Sequence, residues 1–221
     1  MSSLRQFGPF PPPRAQTFAG RFFTLAPLDV GRDVAELFAG SHAADSVEAM
    51  WRYVAVGPFA DAGAMAAWLH KRQALPDMLP FTVTDNTSGR RIGSISLMAI
   101  RPEHGVAELG FIWYEASAQR TKANTEANYL LLRYCFEELR YRRMEWKCDA
   151  ENLRSRAAAA RLGYTFEGLF RQHLVVKDRN RDTAWFSIID QEWPRIGAAM
   201  RHWLYEDDSV PLRTLIEAKI P

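Results

Sequence analysis

Residues 107–139 constrain the fold of this chain more than any other stretch. They open with Ala107–Trp113, in which only Glu108 is charged, and such a run predicts a strand that is buried on both faces. Small and polar residues follow, together with the cations Arg120 and Lys122. Apolar residues then recur at helical spacing as far as Leu139. The stretch therefore predicts a strand, a positively charged loop and a helix.

The start of this helix is a candidate anion site. We expect Asn124 or Thr125 to cap it and Glu126 to lie in its first turn. Backbone N–H groups at a helix start lack intrahelical acceptors and carry partial positive charge, so they attract anions. Because Arg120 and Lys122 lie just ahead, we predict that the loop binds phosphate. The alternative is that both cations are solvated surface charges.

The rest of the chain alternates between short strands and helices. Strands are predicted over residues 22–25, 81–84, 91–100, 106–113, 144–148, 164–176 and 183–189. Further helices are predicted over residues 29–40, 61–75, 152–162 and 192–205. The strand–helix–strand unit from Val106 to Cys148 predicts one parallel pair. This order indicates an α+β (mixed α/β) fold with a central, mostly antiparallel, twisted sheet of about seven strands and flanking helices.

Composition limits the class of protein. The chain has 221 residues, 48% of them apolar, and predicts one domain over residues 1–205. We expect a proline-rich arm over residues 1–19 and a loosely held tail over residues 206–221. A net charge of +2 gives no argument for nucleic acid, and two cysteines give neither a disulfide framework nor zinc spacing. Without the apolar run of a signal peptide or a membrane span, the expected location is the cytoplasm.

The segment Met50–Phe59 is rich in aromatic residues and is bracketed by turn residues. Such aromatic side chains either cover the core or line the wall of a ligand pocket. Both interpretations stay open at the level of sequence. In the second one, Trp51, Tyr53 and Phe59 contact the substrate.

Several blocks of the chain resemble the GNAT superfamily of acetyl-CoA-dependent N-acetyltransferases in their order and spacing. The blocks are Glu108–Phe111, Gln119–Thr121, Asn124–Glu126, Asp149–Arg156, Leu162–Tyr164, Glu167–Arg171, Asp182, Phe186–Ile188 and Glu192–Trp193. They are most similar to the RimJ/RimL-type branch, over about residues 20–195. The resemblance implies a GNAT fold, acetyl-CoA as co-substrate, no metal, and an amine acceptor that is a small molecule or a protein N-terminus. Neither nucleic acid nor a membrane is expected as a partner. A homodimer is compatible with the resemblance.

The resemblance also implies which residues contact the cofactor. They are Phe111, Ile112, Trp113, Arg120, Thr121, Lys122, Ala123, Asn124, Thr125, Asn152 and Ser155. The family loop usually reads Gln/Arg-x-x-Gly-x-Gly/Ala, whereas the segment Arg120–Thr125 contains no glycine. Glycine lets backbone N–H groups approach phosphate closely. This loop is therefore expected to depend more on side chains.

Glu108 is the candidate general base, because it is the one carboxylate in an apolar strand and burial raises the pKa of a carboxyl group. The alternative is a structural carboxylate bonded to a backbone group or an arginine. A backbone N–H near Phe111–Trp113 would polarise the thioester oxygen. Many relatives protonate the thiolate with a tyrosine, but Ala159 stands at that position. Ser155 is assigned this role, with Tyr164 or water as alternatives.

The favoured function is N-acetyl transfer to a primary amine in a ternary complex, without a covalent enzyme intermediate. The principal alternative is a GNAT fold that binds acyl-CoA or scaffolds a partner without turnover. A weaker one is a nucleotide-binding α/β protein that uses the same anion site, and the antiparallel strand order argues against it.

Overall fold

A computed structural model of the chain describes residues 10–43 and 47–218. The strands are β1 Phe18–Ala19, β2 Phe23–Pro27, β3 Leu79–Asp85, β4 Arg91–Arg101, β5 Val106–Tyr114, β6 Arg143–Asp149, β7 Thr165–Val176 and β8 Arg179–Ile189. They form one sheet in the order β1-β2-β3-β4-β5-β6-β8-β7. The predicted mostly antiparallel sheet is confirmed, with eight strands instead of about seven.

The α-helices are α1 Val30–Ser41, α2 Val47–Trp51, α3 Ala62–Gln73, α4 Ala123–Arg133, α5 Leu153–Arg161, α6 Trp193–Tyr205 and α7 Leu212–Glu217, and a π-helix over Tyr134–Glu138 continues α4. Asp29, Asp61 and Asn152 cap α1, α3 and α5, because each side chain accepts the backbone N–H of the third residue of its helix. The short helix α2 is absent from the predictions, because the sequence of that segment reads as irregular. None of the described helices is long and apolar enough to cross a membrane.

The sheet has one parallel pair, as predicted, and that pair is short. Residues Val106–Glu108 of β5 pair with Arg143–Glu145 of β6. Beyond these three residue pairs, the described parts of β5 and β6 do not pair with each other, although β5 continues to Tyr114 and β6 to Asp149. The two strands therefore diverge and leave a gap in the sheet, which we call the β5–β6 gap.

Helices cover the two faces of the sheet unequally. On one face, α4 and α6 bury a large core whose fully buried members include Leu131, Met144 and Ile188. On the other face, α1, α2 and α3 form a second cluster with Trp113 of β5. This second cluster lies over the β3–β5 half of the sheet, so the same face of β6, β7 and β8 is left without a helical cover among the described residues.

The two ends of the chain differ from expectation. Residues 1–9 of the predicted arm lie outside the described part, and Phe10 packs edge-on against Tyr141. The expectation of a loosely held tail is wrong for residues 212–217, because α7 buries Leu212 and Ile216 in the main core. Their four-residue spacing places both side chains on one face of the helix.

Candidate active site

The β5–β6 gap exposes the edge of β5 at the predicted cofactor residues Phe111, Ile112 and Trp113. Phe111 has a positive φ of 49°, and the register between β4 and β5 shifts next to it, which marks a β-bulge. Next to this bulge β4 comes so close that a Cβ on Gly93 would collide with the carbonyl oxygen of Trp113. The bulge bends the part of β5 that has no partner strand on the β6 side.

Glu108 lies where the parallel pairing ends and is 6% exposed. Its Oε2 is 2.9 Å from Nζ of Lys147. Burial raises the pKa of the Glu108 carboxyl, and the positive charge of Lys147 opposes that rise only in part. The predicted structural alternative named a backbone group or an arginine, whereas the partner in the structure is a lysine. The role of Glu108 as a base stays a prediction.

Glu108 belongs to a chain of charges on the uncovered face of the sheet. Nζ of Lys147 is also 3.2 Å from Glu145 and lies 4.1 Å from the ring centroid of Trp185. Glu145 in turn binds Arg101 and Arg143, at 2.9 Å each. We call these residues, Arg101, Glu108, Arg143, Glu145, Lys147 and Trp185, the charged face. Sequence analysis missed Lys147, although charged residues at every second position of β6 indicate a strand face that avoids the core.

The aromatic segment divides between the two predicted roles. Trp51 is 1% exposed, and its ring packs against Phe59, Trp68 and Trp113 at centroid distances of 5.2–6.4 Å. Its side chain is therefore part of the core, whereas Tyr53 and Phe59 remain partly exposed. Contact of Tyr53 and Phe59 with a substrate stays a prediction.

The β7–β8 hairpin reaches this aromatic segment from across the sheet. Its turn contains only Lys177 and Asp178, which have positive φ angles of 51° and 59°, so it is tighter than the predicted loop over residues 177–182. Nζ of Lys177 donates a hydrogen bond of 2.8 Å to the carbonyl oxygen of Trp51. The hairpin thus connects the uncovered half of the sheet to the helical layer on the other half.

Helix α4 begins at Ala123, earlier than predicted, and neither Asn124 nor Thr125 caps it. Thr121 organises the start instead: its hydroxyl donates to the carbonyl of Ala118 at 2.7 Å and accepts from the N–H of Ala123 at 3.2 Å. A threonine just before a helix competes for backbone groups in this way. The N–H groups of Asn124 and Thr125 still have no intrahelical acceptor.

The two predicted phosphate-binding cations differ. Arg120 is exposed and has a φ of 63°, the left-handed conformation that glycine usually supplies. Lys122 instead pairs with Asp208 at 3.0 Å, and its Nζ lies 5.1 Å and 5.3 Å from the ring centroids of Phe22 and Trp203. Its ammonium group is therefore held by the C-terminal part of the chain, and the geometry favours Arg120 over Lys122 as a phosphate ligand.

Arg161 is a cation near the α4 start that sequence analysis missed. Its guanidinium donates to the Thr125 hydroxyl at 3.0 Å, and burial lowers its pKa. Among the described residues no carboxylate forms an ion pair with it. The sequence offered an ordinary explanation for this residue, because a basic side chain is common in the last turn of a helix such as α5.

Glu126 fixes the position of the α4 start. Its carboxylate accepts the backbone N–H groups of Arg21, Phe22 and Phe23 at 2.7–3.0 Å. A Cβ at Gly20 would lie 2.5 Å from the Glu126 Cδ atom, so glycine is needed there. Three donors satisfy this carboxylate, which gives Glu126 a structural role.

Asn152 and Ser155 lie on the far side of the β5–β6 gap. Asn152 accepts the N–H of Ser155 at 3.1 Å, and Oγ of Ser155 accepts Nε1–H of Trp146 at 3.0 Å. The indole occupies an acceptor site of the hydroxyl, and the same hydroxyl also hydrogen-bonds the side chain of Cys148. The buried hydroxyl of Tyr164 has no partner in the described part of the chain, and burial raises its pKa well above the usual value. Ser155 is thus the better candidate for the acid.

Two surface cavities lie away from this site. One of about 510 Å³ lies beside the start of α1, at Leu28–Arg32, and the other, of about 530 Å³, lies between Tyr141 and Trp193. Neither is lined by a predicted catalytic, cofactor or substrate residue.

Comparison with known proteins agrees with this geometry. Residues 23–165 match the family model described as acetyltransferase (GNAT) domain. The crystal structure of a GCN5-related N-acetyltransferase from Brucella melitensis is 40% identical in sequence, with a TM-score of 0.90 over 95% of this chain and 98% of that one. RimJ of Mycobacterium smegmatis, solved in complex with CoA-disulfide, shares the fold, with 22% identity and a TM-score of 0.66 over 81% of this chain and 87% of that one.

A curated relative from Bacillus subtilis (strain 168) is named "Putative ribosomal N-acetyltransferase YdaF". It is 31% identical over 105 residues, which is 48% of this chain and 57% of the relative. The alignment thus spans little more than half of that protein. The matched family model covers more than half of the present chain, and the named relatives point to the RimJ/RimL-type branch. The chain therefore belongs to the GNAT acetyltransferase family and is similar to its RimJ/RimL-type members.

Proposed function

We propose that this protein is an N-acetyltransferase that transfers an acetyl group from acetyl-CoA directly to a primary amine in a ternary complex. The observation that carries the proposal is a buried carboxylate, Glu108, with a raised pKa at the mouth of the β5–β6 gap. The acceptor is a small-molecule amine or a protein N-terminus, and the ribosomal name of the Bacillus relative favours the second. Cytoplasmic location, a homodimer and a reaction without metal stay predictions.

The residues around the gap fit acetyl-CoA. The start of α4 offers N–H groups without intrahelical acceptors, and Arg120 and Arg161 supply positive charge beside it. The open edge of β5 at Phe111–Trp113 offers backbone groups to a ligand that enters the gap. When bound there, acetyl-CoA supplies the activated acetyl group.

The chain itself has to move two protons. Glu108 takes a proton from the acceptor amine, directly or through a water molecule, and its raised pKa makes it a better proton acceptor than an exposed carboxylate. Lys147 favours the ionised form of Glu108 and so keeps it able to accept. Ser155, whose hydroxyl accepts Nε1–H of Trp146, gives its proton to the leaving thiolate and regains one from water.

The test is steady-state kinetics of Glu108→Gln with a panel of amines across the pH range. We expect kcat/KM to fall roughly 10²- to 10⁴-fold, the usual contribution of a general base. Glu103→Gln, which removes an exposed carboxylate in the short connection between β4 and β5, is the matched control and is expected to keep full activity. An unchanged kcat in Glu108→Gln at every pH would show that another group is the base.

A second candidate function is acyl-CoA binding without turnover. It is favoured by the absence of glycine from the segment Arg120–Thr125 and by the absence of a tyrosine at Ala159. Calorimetric titration with acetyl-CoA, beside Arg120→Glu and Arg161→Met, tests the cofactor site apart from chemistry. Losing one charge-assisted hydrogen bond of about 1.5–3 kcal/mol should weaken binding roughly 10- to 100-fold. Acetyl-CoA binding that is weakened in these two variants, without turnover of any amine, would support the second candidate.

A further inference from the structure

Two buried N–H donors on β8 have no hydrogen-bond partner within the described residues. They are Nε of Arg181 and Nε1 of Trp185. Trp185 lies on the charged face, because it pairs with Lys147 in the sheet and its ring is 4.1 Å from the Lys147 ammonium group. Arg181 precedes Trp185 by four positions in the same strand, so alternation places it on the same face.

Arg181 also differs from its neighbours in charge pairing. The other three cations of this face, Arg101, Arg143 and Lys147, each lie within 3.2 Å of a carboxylate oxygen. For Arg181, no such carboxylate is found among residues 10–43 and 47–218. Its positive charge nevertheless acts on Glu108, where it opposes the rise in the pKa of that carboxyl. The half-buried guanidinium therefore lies near the candidate base without an anion of its own.

Buried donors without acceptors cost free energy, and proteins usually satisfy them. A ligand that supplies the missing acceptors would explain both donors at once. Building on the proposed function, we propose that the acceptor amine carries a carboxylate, which binds Arg181 and Trp185 while the amino group is directed to Glu108.

The dimensions of a strand are compatible with this arrangement. Four residues span about 13 Å between α carbons, so a ligand group that binds both side chains lies along the strand between them, over Thr183. A carboxylate has two oxygens and about four lone-pair sites, so it can accept from both donors. The neighbouring charges of Lys147 and Arg181 repel an acceptor that has further ammonium groups, such as a polyamine.

Two sources share this chemistry: a free amino acid, and a peptide whose second residue is acidic. The experiment compares kcat/KM within matched pairs that differ by one carboxylate. The pairs are alanine with alaninamide, and seryl-aspartyl-alaninamide with seryl-asparaginyl-alaninamide. We expect at least a tenfold preference for the carboxylate member of one pair, and the preferred pair identifies the source. In the alanine pair the amide has the less basic amine, so chemistry alone would favour the amide.

Three variants locate the preference. Arg181→Met and Trp185→Phe, which keeps an aromatic ring beside Lys147, should lower kcat/KM for the carboxylate member at least tenfold more than for its neutral partner, when both are compared at the pH optimum of each variant. Arg179→Met removes an exposed arginine two residues away in the same strand and should keep the full preference. Equal kcat/KM values within both pairs, or an equal loss for both members in Arg181→Met, would overturn the inference.

Binding in the presence of CoA separates this inference from the proposed function. Calorimetric titration with each pair, in wild type and Arg181→Met, needs no turnover. Carboxylate binding that depends on Arg181, without acetylation of any amine, would support the inference and contradict the proposed function. Acetylation of neutral amines only, with no carboxylate binding, would do the reverse.

Discussion

Two buried carboxylates on the helix-covered and uncovered halves of the sheet have opposite properties. Asp33 of α1 is 0% exposed, and it accepts hydrogen bonds from the Asp29 N–H, the Thr82 hydroxyl, Arg32 and Arg91. Burial tends to raise its pKa, but these donors outweigh burial and lower the pKa to about 2. Glu108 has one close partner, Lys147, and there burial prevails and raises the pKa.

The difference shows that burial alone does not prepare a carboxylate for proton transfer. The number of donors decides whether the anion is satisfied. Under α1, where the sheet is covered, a full set of donors makes Asp33 part of the scaffold. On the uncovered half, an incomplete set leaves Glu108 able to bind a proton at a less acidic pH.

The largest effect is expected from removing the satisfied carboxylate. Asp33→Asn leaves Arg91 and Arg32 without their buried anion and should lower the free energy of unfolding by about 3–5 kcal/mol. Glu108→Gln should change it by less than about 1 kcal/mol, because the ionised form of Glu108 is poorly stabilised. Chemical denaturation of both variants measures the difference. Equal losses would mean that the two carboxylates do not differ in structural role.

The contributions of the two carboxylates to the free energy of unfolding should change with pH in opposite directions. The folded-state pKa of Asp33 is lowered to about 2. Its contribution to the free energy of unfolding is therefore complete above the unfolded-state pKa, near 4, and is lost as the pH falls through about 2. The loss should be about 2 kcal/mol. For Glu108 the folded-state pKa is raised, so its contribution is lost as pH rises instead. Unfolding curves between pH 2 and pH 5 test this, and Asp33→Asn should show a flatter dependence than wild type.

A smaller effect is expected at the partner of the active-site carboxylate. Lys147→Met removes the charge that opposes the raised pKa of Glu108, so that pKa should rise further. The acidic limb of the kcat/KM–pH profile should then move to higher pH. Lys147→Arg keeps the charge and is the control. A uniform loss of rate with an unmoved profile would assign Lys147 a purely structural role.

The smallest effect concerns the connection between the two halves. Lys177→Met removes the hydrogen bond to the carbonyl of Trp51 and should lower stability by only about 0.5–1.5 kcal/mol. Amide hydrogen exchange should quicken at the turn of the β7–β8 hairpin and stay unchanged in β3 and β4. Arg179→Met, also at the tip, is the control. Unchanged exchange at the turn would show that Lys177 does not hold the hairpin.

Features set by local sequence could be predicted. The helix starts at residues 29, 61 and 152 were recognisable in the sequence because a capping side chain binds backbone within its own first turn, as Asp29, Asp61 and Asn152 do. The parallel pair followed from a strand–helix–strand order, and Glu108 was visible as one charge in an apolar strand. The start of α4 was misplaced because Thr121, which precedes the helix, organises it.

Features set by contacts between distant segments could not be predicted. Lys147 meets Glu108, Arg161 meets Thr125, and Lys122 meets Asp208 only after the sheet has formed. Each of these cations looks like an ordinary surface charge in the sequence. Trp51 shows the same limit, because only packing with Trp113 decides that it covers the core.

The three-residue pairing between β5 and β6 has a consequence for how the chain folds and opens. Neighbours β3, β4 and β5 are joined by short connections, so their contacts are local and can form early. Pairing of β5 with β6 must wait for the whole crossover through α4, and it gains few hydrogen bonds when it forms. We therefore expect this seam to close last and to separate first in partial unfolding. A ligand that contacts both β5 and β6 would stabilise their pairing once it has formed. The lifetime of the native state should therefore lengthen with acetyl-CoA concentration.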